Sequence, residues 1–559
     1  MAGGAPPTAL FLSTRPRYSG MKTRGDKLAV RGVRIDEAAL DAIFDDVDQA
    51  HEPGVAVGIS VAGVPVYRKG FGLANMELPV ALGPSMRMRV YSVSKHITCL
   101  CYLLLCEEGR AGLDDPVGVH LPELHPSARR ATMRQLMGNT SGLRDVHDVN
   151  WVFSGFGRHV ESEALLAAYR DIADTNFPAG TAWAYNNGGF LLLTAVIERL
   201  EQSSLEIVLR RRIFGPVGMA DTMLRRFDND FVPNSATMHM VAPGGGFDRS
   251  YLGAAMAGEG GIVSTVDDML RWMAHMDAPV IGSPETWEAL RRPATLANGQ
   301  STHYGLALAT GDHRGAATLF HSGGGFGAHS QMLKVPDAGL DLVVLTNRYD
   351  KVAADYGNRI LDCCLTGLTA APPRSKSAVE GVFYSKSTGR VVQLFLREDA
   401  QMAWIDNDMV MESDEDGTLR PSGKFMLIRQ TIRTFGPRER PSAIELDDFG
   451  NVDHLDRAAD EPRADPGSII GVYEASSVGV TAVIARGDTG LVFATRSRFG
   501  KTEAQLEPLA RGLWRTRLRW PWMGAGIAFD EDGGSFRLST ARTRSLRFVR
   551  LPDAAVRRQ

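Results

Sequence analysis

Ser92 and Lys95, in Tyr91-Ser92-Val93-Ser94-Lys95, stand at the head of an apolar stretch, 97–105, that reads as a buried helix. At spacing i, i+3 the two side chains share a helix face and can meet. A serine hydroxyl is a poor nucleophile at neutral pH, but a lysine in a desolvated pocket can lose its proton and act as its base. Ser92 would also sit at the helix N-terminus, where the dipole and free backbone N–H groups favour a developing oxyanion. Further on, Tyr185-Asn186-Asn187 offers a phenol that can relay protons and a carboxamide that can bind a carbonyl. His321-Ser322-Gly323-Gly324 opens a glycine-rich turn before a strand, where missing side chains let backbone N–H groups approach a ligand. Each of the three alone is more often a plain helix start or turn.

Elements must bring these groups together. Apolar residues recur at helical spacing over 38–47, and Val55–Val61 and Val64–Phe71 alternate around Ala62-Gly63 as a β-hairpin. Between 88 and 369 helical and strand patterns intermingle: a helix over 191–200, another over 265–276 starting at Ser264/Thr265, and strands at 331–335 and 340–346 turned at Pro336-Asp337. The composition changes at 368–379, LTAAPPRSKSAV, which has the Pro, Ser and Lys content of a linker. Beyond it come short strand candidates at 381–384, 390–396, 401–405, 424–428 and 443–446. A stretch of low periodicity, 456–466, precedes a second series at 471–473, 480–485, 491–494, 513–518, 526–529 and 545–551. The GVF of Gly381 to Phe383 resembles the GVY of Gly471 to Tyr473, which suggests a duplication into two small barrels.

Length and charge set the outer bounds. At about 150 residues per domain, 559 residues predict three to four domains. Lys plus Arg (62) against Asp plus Glu (65) leaves a net charge of −3, which gives no global attraction to nucleic acid or an anionic membrane. No segment approaches the roughly 18 consecutive apolar residues of a membrane span. Cys99, Cys101, Cys106, Cys363 and Cys364 are clustered rather than spaced as a disulfide framework, and read as small buried hydrophobes. Residues 1–33 read as a loose Gly-, Pro- and Arg-rich leader without the pattern of a signal peptide, and the expected location is cytoplasmic. Neither H-E-x-x-H nor C-x-x-C occurs, and the APGGGF segment at 242–247 lacks the Lys-Ser/Thr of a phosphate loop, so neither metal nor cofactor is expected. His239 reads as a surface or cleft residue, the acidic run 412–416 as a solvated turn, and the Arg-rich tail 542–550 as an exposed strand face.

An S-x-x-K motif, a polar second element and a third element ending in Gly follow one another in β-lactamases and penicillin-binding proteins. Here Y-x-N stands second and H-x-G third. The intervening text agrees: Leu113-Asp114-Asp115-Pro116, Asn139-Thr140-Ser141-Gly142-Leu143, Pro178-Ala179-Gly180-Thr181, Ile213-Phe214-Gly215-Pro216 and Gly260-Gly261-Ile262-Val263-Ser264-Thr265 resemble the serine β-lactamase (class C)/DD-peptidase superfamily over about residues 36–347. Within it, SVSK at 92–95, SGLRD at 141–145 and a His in the third motif resemble the bacterial D-aminopeptidases, whose catalytic domain is followed by two β-barrels.

That resemblance implies a mixed α/β (α+β) β-lactamase/transpeptidase-like catalytic domain at 34–370, then two small antiparallel, lipocalin-like barrels at 380–460 and 466–559. It implies Ser92 as the acylated nucleophile, Lys95 and Tyr185 as the groups that deprotonate it and protonate the departing amine, and Asn187 as the group that orients the substrate amide. The N–H groups of Ser92 and Gly324 would form the oxyanion hole, with Gly323 beside them. His321 would line the cleft where other members keep a lysine, and a neutral imidazole suits an enzyme that reads a free amino end. D-Aminopeptidases carry a third-domain loop in the cleft. The matching segment here, 518–524 with Arg519, Trp520 and Trp522, has no carboxylate for an ammonium, so cleft carbonyls or Asp145 would have to hold it, unless the substrate is different or the two Trp residues simply pack in the barrel. The expected substrate is a small peptide, amide or ester, and a homodimer is allowed. An esterase or β-lactamase-like hydrolase, or a sensor that binds without turnover, would fit the same residues.

Overall fold

The computed structural model describes residues 32–47, 50–370, 378–422, 430–459, 466–517 and 524–552. Strands β1 (Val55–Val61) and β2 (Val64–Phe71) form the hairpin where the alternation places it, and Ala62 and Gly63 at its turn both have positive φ, as a tight two-residue hairpin needs. With β3 (Ala309–His313), β4 (Ala316–Gly325), β5 (Ala328–Val335) and β6 (Leu340–Thr346) they make one antiparallel sheet in the order β3-β4-β5-β6-β1-β2.

Strands β5 and β6 are buried at every residue, because helices cover both faces of the sheet. Five longer helices frame the site: α1 (Ser94–Glu107), α2 (Val146–Ser154), α3 (Asn187–Glu201), α4 (Val266–Asp277) and α5 (Ala353–Cys364). A Cβ added at Gly58 would lie 2.3 Å from Val266 Cγ1, so α4 packs on the face that carries Gly58 and its cross-strand partner Val343. Leu342 points to the other face, where α5 passes close enough that a Cβ at Gly357 would sit 3.6 Å from Leu342 Cδ1. Thr265 caps α4 through the Asp268 N–H at 3.1 Å, at the start expected from the sequence. Helix α3 begins four residues ahead of its apolar periodicity, since Asn186 caps it at Gly189 (2.9 Å) and Gly188-Gly189 carry no hydrophobic signal. The helix expected over 38–47 is shorter, Glu37–Ala42; Phe44 and Val47 are buried from turns that follow it.

Two closed eight-stranded antiparallel barrels follow, each a meander whose last strand pairs with its first. The first runs from Gly381–Tyr384 to Asn451–Arg457, the second from Gly471–Ala475 to Leu546–Arg550. The GVF and GVY segments occupy equivalent places. Phe383 pairs with Arg457 and Tyr473 with Arg550, and each arginine lies over its aromatic ring, at 5.5 and 5.7 Å. Inward residues alternate with outward ones, as along Val480–Gly487, and this drives the closure. Strands Asp408–Ser413, Leu419–Pro421, Gln430–Phe435, Asn451–Arg457, Gly500–Ala510 and Ser535–Ser539 complete the barrels without having been expected. The strand expected at 424–428, the leader at 1–31 and the centre of the linker, 371–377, lie outside the described residues. The acidic run is corrected: Glu412 and Ser413 end a strand, and only 414–417 turn.

The second barrel is joined to the α/β domain by a continuous apolar core, with Phe153 of α2 packed 5.9 Å from Phe548, whereas the first barrel keeps a core of its own around Phe383, Ile432 and Leu455. No helix among the described residues is long and apolar enough to cross a membrane, and no group of three His, Cys, Asp or Glu among them is placed to hold a metal ion.

Candidate active site

Strand β4 brings the three sequence elements into one place. Ser92 sits in a single turn of 3₁₀ helix, Tyr91–Val93, that runs into α1. Tyr91 holds φ at 45°, an unusual conformation for a side-chain-bearing residue, and its hydroxyl fixes the turn by donating to Phe326 O at 2.7 Å. The glycines of β4 allow the strand to lie against this turn. A Cβ at Gly323 would come within 2.4 Å of Val90 O and 3.0 Å of Ser92 N, and one at Gly325 within 2.4 Å of the Tyr91 ring. Strand β3 pairs only with Ala316–Phe320, so the edge of β4 from His321 to Gly325 has no strand on that side among the described residues.

Lys95 is fully buried in α1. Its Nζ lies 3.0 Å from Ser92 Oγ, 2.7 Å from Asn187 Oδ1 and 2.5 Å from Glu259 O, and it stands over the rings of Tyr185 and Phe190 at 4.9 and 5.2 Å. Burial pulls its pKa down to about 7, with the Arg542 charge adding to the effect and Glu259 and Asp145 opposing it. The Tyr185 hydroxyl is buried, interacts with Ser92 and makes no hydrogen bond of good geometry among the described residues; burial raises its pKa, so it remains a phenol at neutral pH.

The structure corrects the placing of His321. It is fully buried behind the cleft wall rather than lining it. Burial, with Lys95 and His96 nearby, holds its pKa well below the usual histidine value. The neutral ring has its Nδ1–H on Ser322 O (2.7 Å) and its Nε2 accepting from the Tyr304 hydroxyl (2.9 Å), which leaves no polar atom for a substrate. Asn187 likewise faces inward to Lys95. Asp145 cannot hold an ammonium: its carboxylate is wholly buried and accepts the N–H groups of His147, Asn187 and Gly188 at 3.0–3.1 Å, capping α2 and α3 together.

Both barrels reach the site. A cavity of about 270 Å³ is lined by Ser92, Tyr185, Gly323 and Gly324, by Asp406 and Asn407 of the first barrel, and by Arg542 and Arg544 of the second. Arg519, Trp520 and Trp522 lie outside the described residues. The second barrel enters the cleft through the turn 540–545, part of the arginine-rich tail that had read as an exposed face. That turn is anchored: Thr540 and Thr543 Oγ1 donate to the buried Asp148 at 2.9 and 2.7 Å, and Asn176 binds the Arg542 carbonyl and the Arg544 N–H. Arg544 donates to Trp183 O and to Asp448, tying all three units at one point. In the first barrel, the Asp406 carboxylate accepts, among the described residues, only the N–H of Asn407 (3.1 Å), and burial raises its pKa to about 6 against the opposing charge of Arg390. Asn407 Oδ1 is buried without a hydrogen-bond donor among the described residues. Sequence reading missed Asp406, Asn407, Glu259 and Arg542; the Thr-Ala-Arg-Thr-Arg turn between two strands was the one signal that could have marked the last.

An acylation site of this kind, on an antiparallel sheet between helices, defines a serine hydrolase of the penicillin-recognising type. Residues 40–362 match the Beta-lactamase family, and the chain belongs to that family. It is 26% identical over 437 residues to a D-aminopeptidase of Brucella anthropi, covering 76% of this chain and 78% of the relative. A D-aminopeptidase of Brucella canis is 29% identical over 379 residues, 66% of this chain and 70% of that one. Among solved structures, the octameric penicillin-binding protein homologue from Pyrococcus abyssi shares the fold at a TM-score of 0.52 and 18% identity, covering 92% of this chain and all of that one. A penicillin-binding protein from Bacillus halodurans does so at 0.50 and 20%, over 58% of this chain and 98% of that one.

Proposed function

We propose that this serine hydrolase acts as a D-aminopeptidase, releasing an N-terminal, D-configured residue from small peptides or amides through an acyl-enzyme on Ser92. The three hydrogen-bonding contacts of Lys95 carry the reading. Ser92 gives its proton to Lys95 Nζ as Oγ attacks the carbonyl carbon. The oxyanion is held by the N–H groups of Ser92 and Gly324, at the junction that Gly323 keeps open. As the C–N bond breaks, Tyr185 hands its proton to the leaving nitrogen and recovers one from Lys95. Water then opens the ester by the same route, and the amino acid leaves. The unpaired edge of β4 suits an extended substrate backbone.

Asp406 and Asn407 supply the acceptors that the 518–524 segment lacks. The Asp406 carboxylate and Asn407 Oδ1, which have no side-chain donor among the described residues and face the cavity, fit a substrate ammonium. We divide the chain at 34–370, 380–460 and 466–559, with the chemistry in the first unit and cleft walls from the other two. Five cysteines without disulfides fit a reducing, cytoplasmic setting.

The test is a panel of D- and L-aminoacyl p-nitroanilides with their N-acetylated forms and matching esters, read beside the mass of Ser92 under slow turnover. Preference for free-amine D-compounds and an acyl adduct on Ser92 are expected. Full activity in Ser92→Ala, equal D and L rates, or a preference for acetylated compounds or esters would each overturn a part of the reading.

A further inference from the structure

His321, at the position where the superfamily's third motif commonly has a lysine, offers the cleft no charge and no free polar atom. A cation nevertheless reaches the cleft from elsewhere. Arg542 lines the cavity from the 540–545 turn, with its guanidinium carbon 5.2 Å from the centre of the Tyr185 ring and 5.8 Å from that of Trp151. Its side chain is about a quarter exposed (28%). Among the described residues the guanidinium makes a single hydrogen bond, an ion-paired one from Nη1 to Asp145 Oδ2 at a long 3.4 Å, and that carboxylate is already occupied by three backbone N–H groups. The other cation of the cavity wall, Arg544, is committed to Trp183 O and Asp448. Arg542 therefore presents N–H groups that no other described residue occupies, from a backbone fixed by Asn176, Thr540 and Thr543. A guanidinium so placed is preorganised for a carboxylate, which it can bind through two parallel hydrogen bonds.

We infer that Arg542 binds the free C-terminal carboxylate of the leaving group, so that the preferred substrates are dipeptides with both ends free. This rests on the D-aminopeptidase reading, in which Tyr185 protonates the leaving nitrogen. The cation lies over the ring of that tyrosine, and in a dipeptide the carboxylate carbon is only two bonds, roughly 2.5 Å, from that nitrogen. Each further residue would carry the carboxylate about 3.5 Å farther away. An amide, an anilide or a longer peptide thus forfeits the contact.

The experiment compares kcat/KM for D-Ala-Gly and D-Ala-Gly amide across the pH range, in the wild type, Arg542→Gln and Arg542→Lys. A charge-assisted contact of this kind predicts about a 10- to 100-fold preference for the free acid. The preference should fall to within about threefold in Arg542→Gln and persist in part in Arg542→Lys. A wild-type ratio at or below one overturns the inference without recourse to any variant, as does an unchanged ratio in Arg542→Gln. Either result alongside turnover of D-Ala p-nitroanilide leaves the proposed function standing. Failure to cleave every D-aminoacyl compound overturns that function, and the inference with it.

Discussion

Lys95 Nζ stands 3.0 Å from Ser92 Oγ, and its two other partners, Asn187 Oδ1 and Glu259 O, can only accept. A neutral amine has two hydrogens and one lone pair. With both hydrogens taken, the lone pair remains for the serine proton. Because burial brings Lys95 to about 7 while Tyr185 is pushed up, the lysine and not a tyrosinate is the base near neutrality. The neutral form grows as pH rises, so kcat/KM should climb with pH up to about 7 and level above it. Arg542→Gln removes a like charge and should move that midpoint upward. A flat profile from pH 5 to 9, or a downward shift in the variant, would rule out Lys95 as the base.

The same burial costs stability. In the unfolded chain a lysine titrates near 10.5, so between about 7 and 10.5 the unfolded state binds more protons and the folded state gains as pH rises. The cost is fully present below about 7, at roughly 5 kcal/mol by this linkage, though a substitution that strands Asn187 Oδ1 and Glu259 O gives part of the gain back. Lys95→Met should be inactive yet melt a few degrees higher at pH 7, with the gap closing towards pH 10. A gap that widens with pH in thermal melts would contradict this.

Gly323 is needed for approach, not for backbone conformation, since its φ is not positive. A Cβ there would meet Ser330 Oγ at 2.3 Å and Val90 O at 2.4 Å, and the second of these is backbone that cannot swing aside. Gly323→Ala should push β4 away from Ser92 and lower kcat at least about 100-fold, with the far-ultraviolet circular dichroism unchanged. Near-normal kcat would show that the strand need not touch the nucleophile turn.

The legible part of this site was the part encoded locally. Ser92 and Lys95 are one helical turn apart, and the Val55–Val61 and Val64–Phe71 hairpin carries its alternation and its turn within 17 residues, so both could be read directly. His321 was misread because spacing cannot tell a cleft wall from the layer behind it; Tyr304, which occupies its Nε2, is 17 residues away in sequence. Arg542 was misread for the converse reason. The alternation belongs to the strand Leu546–Arg550, whereas Arg542 stands in the turn ahead of it, and that turn reaches Asp145 at the start of α2, 397 residues earlier.

Asp406→Asn tests the ammonium site. The substitution keeps the oxygen facing Asn407 N–H and removes the charge, so discrimination between free-amine and N-acetylated substrates should fall about tenfold or more, chiefly through KM. Since the Asp406 carboxyl titrates at about 6 without ligand, wild-type KM for free-amine substrates should rise as pH drops below 6, and this dependence should vanish in the variant. D-Ala p-nitroanilide probes the α-ammonium, and N-acetyl-D-Lys p-nitroanilide a side-chain one. Undiminished discrimination for both in the variant would remove Asp406 from recognition.

The second barrel should prove inseparable from the α/β domain. Phe153 packs against Phe548 in one continuous core, Thr495 Oγ1 donates to Phe153 O at 3.0 Å, and Arg144 reaches Arg544 O at 2.6 Å. Ending the chain at residue 459 would expose that apolar face, strand the buried Asp148 without Thr540 and Thr543, and remove Arg542 and Arg544 from the cavity wall. Such a truncation should aggregate and be inactive. A milder variant, Thr540→Val with Thr543→Val, leaves the core intact but takes both donors from Asp148, whose pKa burial already raises, so its loss of stability should grow with pH as that carboxylate ionises. A soluble, active truncation would show that the second barrel is an appendage and not a wall of the site.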